Sequence, residues 1–217
     1  MTTPVEFFHQ YPANSGTEYT LNNSVDVGDV IVLMIGAHLG GTACTAVLGT
    51  GGGAQASGGF VSAGTAILNG SGNDTITCLK AVITTAGIPK ITVTAGAGDI
   101  DLGFSAWSER GLTGAVNMFG GAAGAGTSLS ISGSIDATSS LYCFWLNESV
   151  DNFVSWGGSI ADDSYTDTHY DQSGHQRDVA AGSVNPSVNL TTDDNNTVAF
   201  VYMTANSAGV SSAWLTA

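Results

Sequence analysis

The chain is expected to fold as an all-β protein, an antiparallel β-sandwich of jelly-roll type in a single domain. Three observations lead there. Apolar segments of strand length are separated by clusters of Gly, Ser, Thr, Asn and Asp, with 30 glycines among 217 residues. Several of these segments alternate cleanly between apolar and polar residues. No segment carries apolar residues at sustained helical spacing between recognisable caps. A chain of 217 residues suits one large β domain or at most two small ones, and it buries a core without disulfide staples. No Pro-rich linker divides it, so the expected layout is an N-terminal arm over 1–18 followed by a sandwich over 19–217.

The strongest apolar run is VDVGDVIVLMIGAH, residues 25–38. Between Asp29 and His38 it is too short to cross a bilayer, which takes about 20 residues. It lies well inside the chain, and the leading MTTPVEFFHQYP has no basic stretch, so neither a membrane span nor a secretory signal is expected. Val30, Ile31, Val32 and Ile35 are β-branched and follow a Gly-Asp turn, which reads as a strand. Three further segments share this grammar: GAGDIDLGFSAWSE, DATSSLYCFWLNES and TDDNNTVAFVYMTA. Together they form a recurring turn-strand signature. Cleaner alternation marks other strands. Ile91 and Val93 oppose Thr92 and Thr94 in KITVTAG. Leu129 and Ile131 face away from the serines in TSLSISGSI. Val184, Val188 and Leu190 share a face in SVNPSVNLTT, where Pro186 suggests a sheet edge.

Two strands are apolar on both faces. In LYCFWL, Leu141, Cys143 and Trp145 point one way and Tyr142, Phe144 and Leu146 the other; in VIVLMI both sets are aliphatic. A strand of an ordinary antiparallel sandwich has one wet face. The second face therefore needs a cover, either another part of the chain, such as VEFFHQY, or a neighbouring subunit.

The charge balance narrows the partners. Four cations, Lys80, Lys90, Arg110 and Arg177, stand against 18 acidic residues, a net charge of −14. Nucleic acid is bound by neutralising phosphates, and anionic lipid by basic residues, so neither partner is expected. A solvated acidic surface, tolerant of a salty medium, is the expectation. With hydrophobic residues at 43% and charged ones at 10%, the chain is neither a disordered tail nor a coiled coil. Cys44, Cys78 and Cys143 have no CxxC spacing, so no disulfide framework or zinc site is expected, and Cys143 reads as a core residue.

Candidate chemistry is sparse. ADDSYTDTHYDQSGHQRD, residues 161–178, is the densest polar cluster. Its carboxylates, Asp163, Asp167 and Asp171 foremost, are weak candidates for calcium ligands, although EF-hand spacing is absent and no cofactor is expected. His169 and His175 are not spaced as a metal pair. Glu109 and Glu148 end apolar strands beside Trp107 and Trp145, an arrangement a glycosidase would need brought together; each is otherwise an exposed strand end. No catalytic residue is assigned. GTGGGAQ and GGAAGAGTS lack the lysine of a phosphate-binding loop and read as loops.

The order YTLNNSVDVGDVIVLMIGA, then AVITTAGIPKITVTAGAGDIDLGFSAWSERGLTG, then SLSISGSIDATSSLYCFWL resembles β-sandwich proteins encoded among the structural genes of tailed bacteriophages. The likeness covers roughly residues 19–146, with SERGLTG standing at the place of the E-x-x-G-L element, one residue shorter as E-x-G-L, and FVSWGGS partly fitting the aromatic stretch that follows. It implies a virion component, a head decoration protein or a tail or fibre module, made in the host cytoplasm and packed against itself and other virion proteins. Its contacts are expected from the glycine-rich loops 49–59 and 111–126 and from the termini. The alternative is a glycan-binding adhesin module, with Trp107, Trp156, Tyr165, Tyr170 or Trp214 stacking on sugar rings. A glycoside hydrolase stands third.

Overall fold

The computed structural model describes residues 1–38, 41–49, 53–69, 74–96, 101–147, 153–157, 160, 162–166, 171–191 and 195–206, with only the backbone at 101 and 162–166. The protein is all-β, and every strand pairing is antiparallel. The first half of the chain holds β1 (Thr3–Ala13), β2 (Glu18–Thr20), β3 (Val30–His38), β4 (Thr45–Leu48), three short pieces β5 (Gln55–Ala56), β6 (Val61–Ser62) and β7 (Ile67–Leu68), then β8 (Thr75–Thr85), β9 (Lys90–Thr94) and β10 (Asp101–Arg110). The second half holds β11 (Leu112–Gly124), β12 (Ser128–Ser130), β13 (Gly133–Ile135), β14 (Ser139–Asn147), β15 (Phe153–Gly157), β16 (Asp162–Thr166), β17 (Asp171–Val179), β18 (Gly182–Val184), β19 (Ser187–Leu190) and β20 (Asn196–Ala205).

The two halves repeat one connectivity. In the first, β1-β10-β3-β8 form one sheet, edged by β5, β6 and β7, and β2-β9-β4 form another. In the second, β11-β20-β14-β17-β16 form one sheet and β12-β19-β15 another, with β13-β18 as a separate ribbon. Matching β1 to β11, β3 to β14, β8 to β17 and β10 to β20 makes the large sheets equivalent, and β2, β9 and β4 likewise match β12, β19 and β15.

Three apolar cores separate four layers. Ile31, Leu33, Ile35, Phe104 and Ala106 pack under the outer strands through Ile91, Val93 and Leu48. Val30, Val32, Met34, Ile76 and Trp107 meet Tyr142, Phe144, Leu146, Val201 and Met203 between the two large sheets. Leu141, Cys143, Trp145, Val198 and Phe200 pack against Val188, Leu190 and Ile135 on the far side. The expectation of a single two-sheet sandwich thus differs from the architecture, which is two sandwiches back to back. The two-faced strands are explained by it: β3 and β14 cover each other, so their second faces call for no neighbouring subunit. VEFFHQY, part of the expected arm, is not that cover; it lies in β1, the edge strand paired with β10.

The crossing of β3 and β14 is tight. A Cβ built on Gly36 would lie 2.6 Å from Phe144 Cε1 and 3.4 Å from Leu146 Cδ1. The Phe144 ring is fully buried and has nowhere to retreat. Gly36→Ala is therefore expected to cost about 1–3 kcal/mol by overpacking. Urea unfolding checks it; an unchanged midpoint would mean the two sheets sit farther apart.

Two further sequence expectations need correcting. The stretch GGAAGAGTS was read as a loop, but Gly120 to Gly124 belong to β11. Glycine serves packing there: a Cβ on Gly120 would come 2.9 Å from Ile131 Cδ1, and one on Gly121 2.7 Å from Ile67 Cδ1. Pro186 does not mark an edge, because it precedes β19, the central strand of its sheet, and so removes no ladder hydrogen bond.

The Gly-Asp turn before β3 is built as its sequence suggests. Gly28 takes φ 92°. The Asp26 amide donates to Asp29 Oδ2 at 2.8 Å, and Arg110 Nε donates to Asp29 Oδ1 at 2.9 Å. Burial pushes the Asp29 carboxyl up, but the Arg110 hydrogen bonds, the Asp26 amide and the guanidinium charge outweigh it and hold the carboxyl below its ordinary value. A depressed folded-state value contributes stability that is present above the ordinary aspartate range and lost as pH falls through the lowered value. Arg110→Gln is accordingly expected to be less stable than wild type at neutral pH, with the gap closing as the pH is taken below the aspartate range. Thermal midpoints across an acid series test this; a gap that is constant with pH would exclude the linkage.

Candidate functional site

The chemistry-bearing residues collect in a seam between the two large sheets, where β10 faces β17. Strand alternation places Gly103, Ser105, Trp107 and Glu109 on the seam face of β10, while Leu102, Phe104 and Ala106 point into the outer core. On β1, His9 is in register with Ser105 and Phe7 with Trp107. Across the seam, β17 presents Asp171, Ser173 and His175.

Two polar groups bridge the halves. In the first, Ser105 Oγ donates to Ser173 Oγ at 2.9 Å, His9 Nδ1 lies 2.8 Å from Ser105 Oγ, and His9 Nε2 lies 3.7 Å from Asp171 Oδ1. Gly103 makes room for this carboxylate, because a Cβ there would overlap Asp171 Oδ2. In the second, Glu109 contacts His175 Nε2 and accepts a hydrogen bond from Ser140 Oγ at 3.0 Å. The His175 ring stacks on Tyr142 at 4.8 Å, and Trp107 packs on Tyr142 at 5.3 Å. Burial, the Glu109 charge and the Glu109 hydrogen bond together hold the Tyr142 hydroxyl well above its usual range, so it stays protonated.

Serine, histidine and aspartate meet here, as in a nucleophilic triad, but with a different arrangement. The serine sits on Nδ1 and the carboxylate near Nε2, the reverse of a hydrolase triad. Ser105 and Ser173 are fully buried, so as packed the serine offers no approach to a substrate carbonyl. The seam joins the halves through these buried polar contacts. The opposite flank differs: there β8 meets β20 and β11 through Ile76, Cys78, Ala199 and Val201, with Lys80 Nζ donating to the Gly114 carbonyl at 2.5 Å.

An open cleft lies elsewhere, on the outer sheet of the first half. It has a volume of about 640 Å³, and its lining includes Glu18, Gln55, Phe60 and Thr92 with Gly49 and Gly58. Gly49 lies close under the Glu18 carboxylate, so that a Cβ there would displace this flexible side chain. Gln55 Nε2 donates to the Gly49 carbonyl at 2.6 Å, and Glu18 pairs with Lys90 at 3.6 Å.

Of the residues singled out from sequence, Trp107, Glu109, Asp171 and His175 meet in the seam, while Trp156 lies apart from it in the outer layer. Trp107 is 1% exposed and is a core residue, not a sugar platform. Trp156 is half-buried against Phe153 and Phe200. Asp171 is not a loop carboxylate; it is fully buried beside His9. Glu109, read as an exposed strand end, is 1% exposed. The side chains of Asp163 and Tyr165, and the residues Asp167, Tyr170, Trp214, His169 and Glu148, lie outside the described part. Among the described residues no group of three or more His, Cys, Asp or Glu side chains is placed to hold a metal ion. His9, Ser105 and Ser173 are not among the residues that the sequence pattern marks; the one signal in GFSAWSE is that Ser105 and Glu109 fall on the same strand face. A scan against protein-family models gives no match for this chain, and neither does a search of curated proteins.

Proposed function

We propose that the protein is a non-enzymatic structural component of a tailed-bacteriophage virion, most simply a capsid decoration protein packed on the particle surface. The observation that carries this reading is the strand order of the halves. In the first half the first strand lies beside the last, the last beside the third, and the second beside the penultimate one in the other sheet; the second half follows this order once the β13-β18 ribbon is set aside, and we read the order as jelly-roll-like. Jelly rolls serve in viral capsids, and the resemblance of residues 19–146 to phage structural sandwiches points the same way. The back-to-back stack makes a thick block whose large sheets are covered. Peptide mass spectrometry and a cryo-EM map of the particle encoding it test the proposal. Many copies on the shell support decoration, a few copies at one vertex mean a tail or fibre part, and absence from the particle overturns it.

A second reading, a glycan-binding module, is favoured by the cleft. Jelly rolls also serve as lectins, and the cleft combines one aromatic ring, Phe60, with a carboxylate, an amide and a hydroxyl. Titration with a panel of neutral oligosaccharides tests it, with Phe60→Ala as the control. Binding that survives this substitution would place the glycan elsewhere.

A further inference from the structure

We infer that the protein self-associates through β11, pairing edge to edge with the β11 of a second copy across a two-fold axis. The argument starts from what protects a sheet edge. Unpaired backbone groups on an edge strand are a template for another strand, and proteins blunt them with proline, charge, bulges or covering segments. Three edges of the two large sheets are blunted in these ways. β1 carries Pro4 and Pro12, the buried Glu6, and register shifts at Pro4/Glu6 and Gln10/Ala13. The edge of β8 is covered by β5, β6 and β7. Beyond β17 lies β16, five residues long and beginning Asp162-Asp163.

β11 has none of these devices over its regular part. It is the longest strand, 13 residues, and from Met118 to Gly124 it pairs residue for residue with β20 on one side. Among the described residues no backbone hydrogen bond joins 118–124 to anything but β20. The strand holds no proline, and no charged residue occurs from Gly111 to Ile135, which includes the neighbouring β12 and β13. That absence selects the occupant. A chain of net charge −14 repels its own copy almost anywhere an acidic surface meets another, and an uncharged edge is where two copies approach without it. An antiparallel strand paired with itself about a two-fold is self-complementary, so the contact closes at a dimer and joins two five-stranded sheets into one.

The test uses the full chain. Light scattering over a concentration series is expected to show a mass twice 21.9 kDa that halves on dilution. Hydrogen exchange is expected to show amides in 118–124 protected in the concentrated sample and losing that protection on dilution, with β1 unchanged. Ala123 is exposed, so Ala123→Glu and Ala123→Lys should each give monomer alone, and their equimolar mixture should restore the dimer. A monomer at every concentration overturns the inference, as does a dimer that both variants leave intact, protection that maps to another edge, or growth beyond two copies. The exchange measurement needs no variant and decides the matter even where a substitution disturbs folding.

Discussion

Glu109→Ala is expected to lower the unfolding free energy by about 3 kcal/mol, because it leaves two buried polar groups, the His175 imidazole and the Ser140 hydroxyl, without their acceptor. Glu109 is 1% exposed and His175 fully buried, so no water takes the place of the lost carboxylate. The substitution strips a partner from the His175 imidazole and from the Ser140 hydroxyl at once. Replacing both members with apolar residues of similar size, Glu109→Met with His175→Phe, is expected to recover most of the loss, because removing both partners of a buried hydrogen-bonded pair costs far less than removing one. The phenylalanine would also keep the stack on Tyr142. Urea denaturation of the two single variants and the double variant gives the coupling directly. A single variant costing less than about 1 kcal/mol would mean that the seam is wet.

Trp107→Ala is expected to cost about 3–5 kcal/mol, the range for truncating a large buried aromatic. Its ring contacts Phe7 at 5.4 Å and Tyr142 at 5.3 Å, one neighbour on its own sheet and one on the facing sheet. The hole would open where both halves depend on it. Trp156, half-buried at the outer layer, is the control and should cost less. Chemical denaturation followed by circular dichroism measures both. Equal losses would argue that the middle core is not the one that holds the halves together. A Trp107 variant of unchanged stability but lost ligand binding would return this residue to the role of a sugar platform.

Much of the fold was legible. The four segments of the recurring turn-strand signature are β3, β10, β14 and β20, two of the interior strands of each large sheet. The faces assigned by alternation also hold: Ile91 and Val93, Leu129 and Ile131, and Val184, Val188 and Leu190 all pack into cores. The repeated connectivity behind the signature was not legible, because equivalent strands share a pattern and not residues: VIVLMIGAH in β3 matches SSLYCFWLN in β14. The seam was hidden for a related reason. Ser105 and Glu109 alternate with Phe104 and Ala106, and in a single sandwich a polar alternate face is the wet one. Here that face meets another sheet, so the same alternation marks a buried polar joint. Glycine misled once, at 120–124, where missing side chains admit Ile131 and Ile67 and do not loosen the chain.

By itself the sequence determined the structural class, the places where strands run, and the fact that β3 and β14 bury both faces. Those are local properties: a residue's apolarity and its parity along a strand are carried by the segment itself. Only the tertiary structure decided what covers those faces, that Glu109 meets His175 and Ser105 meets Ser173, and that among the described residues β11 pairs on one side alone. Each of these joins residues distant in the chain, 66 positions apart for Glu109 and His175 and 68 for Ser105 and Ser173. Period-two alternation states that two faces differ; which partner buries each one is settled by how whole sheets stack, and that is written in no single segment.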